Sequence, residues 1–485
     1  MEIRSNAPIA VIGAGTMGAG IAQVAATAGH PVTVIDQAED ALERGRATVA
    51  AALDQALRKG RLDESARDAI AARITWATDI AATAGHALAI EAIVERLDIK
   101  QALVTALAGA MPPDALIASN TSSLGIGDIA AILDRPERFL GLHFFNPVPA
   151  MKLVEVIAGP ATDPAAVNAA ADLMRAWGKR PVIVRDVPGF IVNRVARPYY
   201  GEGFAALGEG IDPALIDAAL TGGGGFRMGP LALADLIGHD VNFAVASSVY
   251  DSYDGKTRFR PQDAQRALRD GGQLGRKSGT GVYDYAQDLP APPYAAPAAA
   301  PASIAIYQLD QLAPLGAEAR AAGIAVTDGP AIGADMARIG NSMMALGDGR
   351  PLGERPGVDV LIDQCRDFAS ASVSVISATS PAHAEAAAGL LQAIGRKVLV
   401  IPDRPGQIVL RTLAQLANAA ADAVTDDVAD ADGIDDAMIH GANHPEGPLG
   451  WARRVGQGRV RAALDNIATA SGDAMYQPSS YFGAP

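Results

Sequence analysis

The sequence predicts an α/β domain followed by an all-α helical domain, and then a degenerate repeat of both. Three observations carry that reading. β-rich runs at Pro8–Ile12, Pro31–Asp36, Ala87–Val94, Ala115–Ser119, Arg138–Phe144, Lys152–Ile157 and Pro181–Arg185 alternate with helical stretches, the pattern of a doubly wound sheet. After Pro188-Gly189 the β pattern stops, and long Ala/Leu-rich segments run to Gly281–Gln287. Residues 164–194 then align without gaps to 381–411, with 14 identities in 31 positions. The boundaries that follow are 1–187 for the α/β domain, 188–287 for the helical domain, 303–403 for the degenerate α/β domain and 404–485 for the second helical domain. Residues 288–302, DLPAPPYAAPAAAPA, are too rich in Pro and Ala to build a core and read as a semi-extended linker.

Composition narrows the function. The balance of 40 Lys+Arg against 54 Asp+Glu gives a net charge of −14, without the basic field that nucleic-acid binding needs. Any anionic ligand must therefore be met locally. No apolar run reaches the roughly 18 residues of a membrane span, and the N-terminus enters a strand-like run without a signal-peptide core, which predicts a cytoplasmic protein with no membrane partner. The single cysteine, Cys365, excludes an intrachain disulfide framework and a multi-cysteine metal site, and no metal is expected. In LIDQCRDFA it reads as a small core residue.

The repeat works as an internal control, because residues needed for folding should tend to survive in both copies while residues needed for chemistry need not. Gly178/Gly395, Asp186/Asp403, Gly189/Gly406 and Arg194/Arg411 survive, and Asn193 becomes Leu410. The first run, PIAVIGAGTMG, corresponds to SIAIYQLDQLA, so Gly13 and Gly15 fall on Gln308 and Asp310. The second copy has lost that loop.

In the first copy the loop is specific. IAVIGAGTMGAGIAQ places Gly13, Gly15 and Gly18, with Thr16 and Met17 between them, after an apolar strand and at the start of an Ala-rich helix. Gly13 permits the tight turn, Gly15 lets the backbone approach a pyrophosphate, and Gly18 lets helix and strand pack closely, which together make a Rossmann-type dinucleotide turn. The next strand ends in Asp36-Gln37, with a carboxylate placed to accept both hydroxyls of an adenosine ribose and no arginine following at once. That favours NAD over NADP.

Two further stretches contain chemistry. ASNTSSLGI ends a strand with small hydroxyl and amide side chains, at the end of a parallel sheet where ligands bind; turn and cap chemistry would account for it equally. GLHFFNPVPAMKLVEV sets His143 among apolar residues with Glu155 twelve positions on, either a half-buried core histidine or a base with its orienting carboxylate.

Taken together, GAGTMGAGIAQ, ASNTSS, GLHFFNPVPAMKLVEV, DVPGFIVNR and GRKSGTGVYDY, in this order across residues 8–286, resemble the L-3-hydroxyacyl-CoA dehydrogenase family. The resemblance implies NAD-dependent oxidation of L-3-hydroxyacyl-CoA to 3-oxoacyl-CoA. The duplicated second half resembles the long bacterial form that acts on 3-hydroxybutyryl-CoA or 3-hydroxyadipyl-CoA, in fatty-acid or phenylacetate degradation. It further implies His143 as catalytic base, Glu155 as its orienting carboxylate, and Ser122 and Asn193 as hydrogen-bond donors to the substrate oxygen. Glu95, Lys100, Asn146 and Lys277 match family positions near the cofactor, and Lys59 matches a lysine that contacts CoA. A neighbouring family serine at the CoA site is Ala52 here. Arg227, in TGGGGFRMGP, is a candidate for meeting an anionic acyl tail. Two alternatives are a dehydrogenase of a non-CoA hydroxy acid on the same scaffold and a non-catalytic NAD-binding protein. The subunit number, homo-oligomer or not, is left open, and the second helical part is expected to cover the apolar surface of the first.

Overall fold

The computed structural model of the chain describes residues 3–330 and 333–483. It divides into two compact units, Met1–Arg194 with Asp426–Ala442, and Val195–Thr425 with Asn443–Pro485.

The first unit is built on eight strands: β1 (Ile9–Ile12), β2 (Val32–Ile35), β3 (Ile74–Ala77), β4 (Leu88–Glu91), β5 (Leu116–Ser119), β6 (Phe139–Phe144), β7 (Leu153–Ala158) and β8 (Arg180–Arg185). Their order is β3-β2-β1-β4-β5-β6-β7-β8, parallel throughout except for the antiparallel pair β6–β7. Strands such as IAVI and LIAS are buried on both faces, which is why they read as continuous apolar runs rather than as alternation. Seven of the eight strands fall on predicted runs. β3 (ITWA) does not, because four residues with only Ile74 fully buried leave little apolar signal.

Helix ends follow local chemistry. The helix Pro164–Ala176 starts with Asp163 accepting from Ala165 N at 2.8 Å and Pro at its first position, and the chain leaves it through Gly178 at φ +71°. The short helix Ile126–Ala130 is capped from a distance: Asp186 accepts from Ile126 N (2.9 Å) and Gly127 N (2.7 Å).

One helix of this unit comes from the second copy. Ala431–Gly441 buries Ile434, Ala437 and Met438 and packs on β7 and β8, with Arg185 N donating to Val428 O at 2.9 Å beside it. Gly441 is needed for that approach, since a Cβ there would lie 2.4 Å from Leu153 Cδ2.

The second unit holds the first helical domain (Arg197–Gly208, Pro213–Gly222, Pro230–Ile237, His239–Ser252 and Asp263–Asp270), a second sheet and the remaining helices. The second sheet comprises β9 (Ser303–Tyr307), β10 (Ala325–Asp328), β11 (Met336–Ile339), β12 (Ser342–Leu346), β13 (Val360–Ile362), β14 (Val373–Ala378) and β15 (Lys397–Val400), in the order β10-β9-β11-β12-β13-β14-β15. Where the first sheet carries long helices after β2, the second has an antiparallel pair, β11–β12. Pro213–Gly222, from the first copy, packs on β14: a Cβ on Gly222 would fall 2.2 Å from Val373 Cγ2, and Ser372 N donates to Gly222 O at 3.0 Å. Each sheet is thus covered by a helix from the opposite copy.

Within the second unit the helix Val409–Thr425 lies against Arg197–Gly208, and the buried contact is polar as well as apolar: Arg411 pairs with Glu202 at 2.8 Å, and Tyr476 OH donates to Glu202 at 2.9 Å. Residues 288–302, expected to be a semi-extended linker, contain no helix but are pinned to β15 and to the helix Pro381–Ala393, with Ala295 N donating to Val398 O (2.8 Å) and Ala298 N to Gln392 Oε1 (2.8 Å).

Candidate active site

The dinucleotide turn adopts the geometry its glycines demand. Gly13 has φ +103°, and a Cβ there would press to 2.7 Å from Ala92 O; a Cβ on Gly18 would sit 1.8 Å from Gly13 O. Space beside Gly15 is open, and the helix Thr16–Thr27 that it begins has no side-chain cap and no acidic residue in its first turn. Thr16 and Met17 occupy that turn, whose uncapped N–H groups fit a pyrophosphate. Asp36 closes the loop by accepting from Ala14 N (2.9 Å) and Ala38 N (3.1 Å), and Gln37 beside it is exposed. These residues fit NAD.

At the far ends of β4 and β5 lies a second polar cluster. Lys100, expected near the nicotinamide half of the cofactor, is buried, with Nζ 2.8 Å from Glu91 and 3.3 Å from Glu95. Its charge neutralises Glu91, which is wholly buried and also accepts from Ser119 Oγ and Ile93 N. Glu95 Oε1 gathers the Ser-rich turn, accepting from Thr121 Oγ1 (2.7 Å), Ser122 N (2.8 Å) and Ser123 N (3.0 Å). Partial burial acts to raise the Glu95 pKa, but these hydrogen bonds and the Lys100 charge outweigh it and hold the carboxyl below its ordinary range.

His143 and Glu155 face each other directly across the antiparallel β6–β7 pair. His143 Nδ1 lies 2.6 Å from Glu155 Oε2, the carboxylate fully buried and the imidazole 6% exposed. The second carboxylate oxygen, Oε1, accepts from Ile191 N (2.9 Å) and Val192 N (3.0 Å) at the start of the helix Val192–Val195. Phe145 and Phe190 flank the imidazole at 4.4 and 5.8 Å between ring centres. Asn120 Oδ1 accepts from Phe144 N (2.8 Å), which ties the ASNTSS turn to the strand that holds the histidine. Asn193 Nδ2 donates to Ser122 O at 3.3 Å, so these two residues are neighbours, with the Ser122 side chain exposed.

His143, Glu155, Ser122, Asn193 and Glu95 therefore belong to one unit, and the structure brings His143 to Glu155, and Ser122 to Glu95 and Asn193. Asn146 follows β6 in an exposed turn with a cis Asn146-Pro147 bond, and Lys59 is exposed at the C-terminal end of the helix Glu39–Arg58. Lys277 lies in the second unit, paired with Asp240. Glu91, Asn120 and Phe190 were not singled out from the sequence. A glutamate ending an apolar strand, with a lysine nine residues on, is a readable trace of the first; the φ of +47° at Phe190 is not readable at all. Cys365 is a core residue, its thiol pushed up to about 12 by burial, which removes thiolate chemistry.

Comparison with known proteins places this geometry. The model of the 3-hydroxyacyl-CoA dehydrogenase NAD binding domain matches residues 8–187, that of the C-terminal domain matches 189–285 and 406–483, and a 3-hydroxybutyryl-CoA dehydrogenase reduced Rossmann-fold domain matches 344–405. The chain is 41% identical over 474 residues to the 3-hydroxyadipyl-CoA dehydrogenase of Escherichia coli strain K12, covering 97% of this chain and 96% of that one. It belongs to the 3-hydroxyacyl-CoA dehydrogenase family.

The crystal structure of a 3-hydroxybutyryl-CoA dehydrogenase from Escherichia coli K12 superposes with a TM-score of 0.89 at 39% identity, over 98% of this chain and 97% of that chain. The (S)-3-hydroxybutyryl-CoA dehydrogenase of Ralstonia eutropha matches over its whole length but only 58% of this chain, with 40% identity and a TM-score of 0.57. The present chain is thus the long form of the family, an NAD-dependent 3-hydroxyacyl-CoA dehydrogenase. No helix among its described residues is long and apolar enough to cross a membrane.

Proposed function

We propose that His143 is the base that removes the hydroxyl proton from the C3 alcohol of an L-3-hydroxyacyl-CoA. The observation that carries this is the buried 2.6 Å contact between His143 Nδ1 and Glu155. An ionised glutamate can only accept, so Nδ1 carries a proton and Nε2 presents its lone pair to the substrate. As the proton arrives, Glu155 stabilises the imidazolium, and its two backbone donors keep the carboxylate from turning away. Asn193 and Ser122 supply donors to the same oxygen, where charge develops as the C–H bond is broken. NAD held by the Gly13–Gly18 turn and Asp36 would supply the hydride acceptor for C3. Glu95 and Lys100 position the Ser122 turn, Asp36 takes the ribose hydroxyls, and Lys59 offers a local cation to the CoA phosphates on a chain whose net charge is −14. Asn146, in the turn after β6, adds a cofactor contact.

The substrates this reading favours are 3-hydroxybutyryl-CoA and 3-hydroxyadipyl-CoA. Support comes from the near full-length similarity to the enzyme named for the adipyl substrate. The test follows NADH absorbance with acetoacetyl-CoA, 3-oxoadipyl-CoA and free acetoacetate as oxidants. Turnover of the thioesters alone is expected; turnover of the free acid at comparable kcat/KM would replace the CoA substrate by a simple hydroxy acid.

A further inference from the structure

Lys179 stands at the entry to β8, directly after Gly178, and is 7% exposed. Its Nζ donates to Val148 O and to Met151 O (2.7 Å), two carbonyls of the turn that joins β6 to β7. Among the described residues it has no carboxylate partner, and burial, aided by the like charge of Lys152, lowers its pKa to about 8. An ammonium buried without an acid is costly, and what it secures here is a turn fixed at two points.

That turn links the strand of His143 to the strand of Glu155, and Asn146 is exposed on it. Val148 seats it on the helix that the dinucleotide turn begins, since a Cβ on Gly20 would lie 2.9 Å from Val148 Cβ. Ala150 N and Met151 N donate to Pro147 O (2.9 and 3.0 Å), and Lys179 adds the hold on Val148 and Met151.

The second copy repeats the clamp on a different turn. Arg396, the repeat partner of Lys179, donates to Phe368 O and to Ala371 O (3.2 Å). Leu153 and Val373 begin β7 and β14 and pair with Arg180 and Lys397, so by count along the chain Phe368 and Ala371 stand where Val148 and Met151 do. Arg396 has an acid, Glu318 at 3.0 Å, and the residue at the place of Asn146 is Arg366, which pairs with Glu446 at 3.6 Å. Clamping the turn is therefore common to both copies, while the residue it presents is not.

We propose that Lys179 is a positioning residue for the cofactor: by fixing the turn at two carbonyls it holds Asn146 in place for NAD, a role that rests on the dehydrogenase reading above. The test measures the NADH Kd by fluorescence titration without acyl-CoA, kcat with acetoacetyl-CoA at equal folded concentration, and a thermal melt. Lys179→Met is expected to raise the NADH Kd about 10-fold, the size of a lost charge-assisted hydrogen bond, with kcat falling less than about threefold. Lys179→Gln, which keeps one donor, should fall between, and Lys179→Arg, which copies the second clamp, should restore the Kd. Asn146→Ala should raise the Kd by a similar factor, and adding Lys179→Met to it should cost less than about twofold more, because both changes remove the same contact. Arg396→Met should lower the Tm and leave Kd and kcat unchanged.

Multiplying effects of Asn146→Ala and Lys179→Met, a wild-type Kd in folded Lys179→Met despite a lower Tm, or an equal rise in Kd from Arg396→Met would overturn the assignment. If Lys179→Met does not fold, Lys179→Gln alone and with Asn146→Ala decides by the same comparison. An unchanged Kd in Asn146→Ala would overturn the cofactor contact of Asn146, and wild type that binds no NADH would overturn the dehydrogenase reading itself.

Discussion

Asp186 and Asp403 do the same work in the two copies of the repeat, whereas the places of His143 and Glu155 have been rewritten. Asp403 accepts from Leu352 N (2.7 Å) and Gly353 N (3.1 Å), as Asp186 does from Ile126 and Gly127. Gly178 and Gly395 both have positive φ, as do Phe190 and Gln407 at +47° each. These survivors serve the backbone.

Register shows what changed. Val182 pairs with Glu155 in the first sheet, and its repeat partner Leu399 pairs with Val375 in the second, so Val375 stands at the glutamate's place. Asp363, whose N donates to Val375 O at 2.9 Å, stands at the histidine's. Its carboxylate accepts from Ile408 N (2.9 Å), Val409 N (2.6 Å) and Leu410 N (3.0 Å), the counterparts of Ile191, Val192 and Asn193. A carboxylate at the start of this helix is therefore structural in both copies. Only in the first does it also hold an imidazole.

The cofactor end repeats the lesson. Where the first loop leaves helix N–H groups uncapped, the second is filled by its own chain: Asp335 accepts from Asp310 N (2.7 Å) and Leu312 N (2.9 Å), and Arg459 pairs with Asp335 and Asp310. A carboxylate of the chain itself thus takes up N–H groups of the second loop.

The comparison can be broken most sharply at Glu155. Glu155→Gln keeps an oxygen for Ile191 and Val192 but turns an N–H toward His143, favouring the wrong tautomer; kcat should fall on the order of 10²- to 10⁴-fold with little loss of stability. Glu155→Ala should add a stability loss of about 1–3 kcal/mol, because two buried N–H groups lose their acceptor. Asp363→Ala should show a similar stability loss in urea melts with kcat unchanged. A fall in kcat for the folded Asp363 variant would mean that the second copy takes part in chemistry.

A smaller effect is expected at His444, buried in the second copy's helical segment against Tyr199 and Phe226. Burial lowers its pKa from 6.5 to about 4, so between those values the unfolded chain binds a proton that the folded chain does not. Stability is therefore complete above pH 6.5 and is lost as pH falls toward 4, by up to roughly 3 kcal/mol. His444→Phe should flatten that acid slope in urea melts from pH 7.5 to 4.5 and leave kcat alone. An unchanged slope would remove His444 from the account.

Much of this was legible beforehand because the signals were local. Strands buried on both faces read as apolar runs, the glycine turn follows one of them, and the two copies of the repeat align without gaps over 31 residues. The site residues were named through family resemblance rather than by spacing, since His143 and Glu155 meet only once β6 and β7 pair in antiparallel register. What stayed hidden depends on long-range pairing: Lys100 turned inward to Glu91, the move of a carboxylate from the Glu155 place to Asp363, and the exchange of Pro213–Gly222 and Ala431–Gly441 between sheets. No periodicity within a segment encodes which sheet its helix will cover.

The most direct test of the account is the rate of NADH oxidation by acetoacetyl-CoA in wild type and His143→Ala at equal folded concentration. The account predicts wild-type turnover and a loss of on the order of 10²- to 10⁴-fold in the folded variant, with an unchanged NADH affinity. A variant that keeps most of its kcat would contradict it, and would leave the buried His143–Glu155 pair as a structural contact.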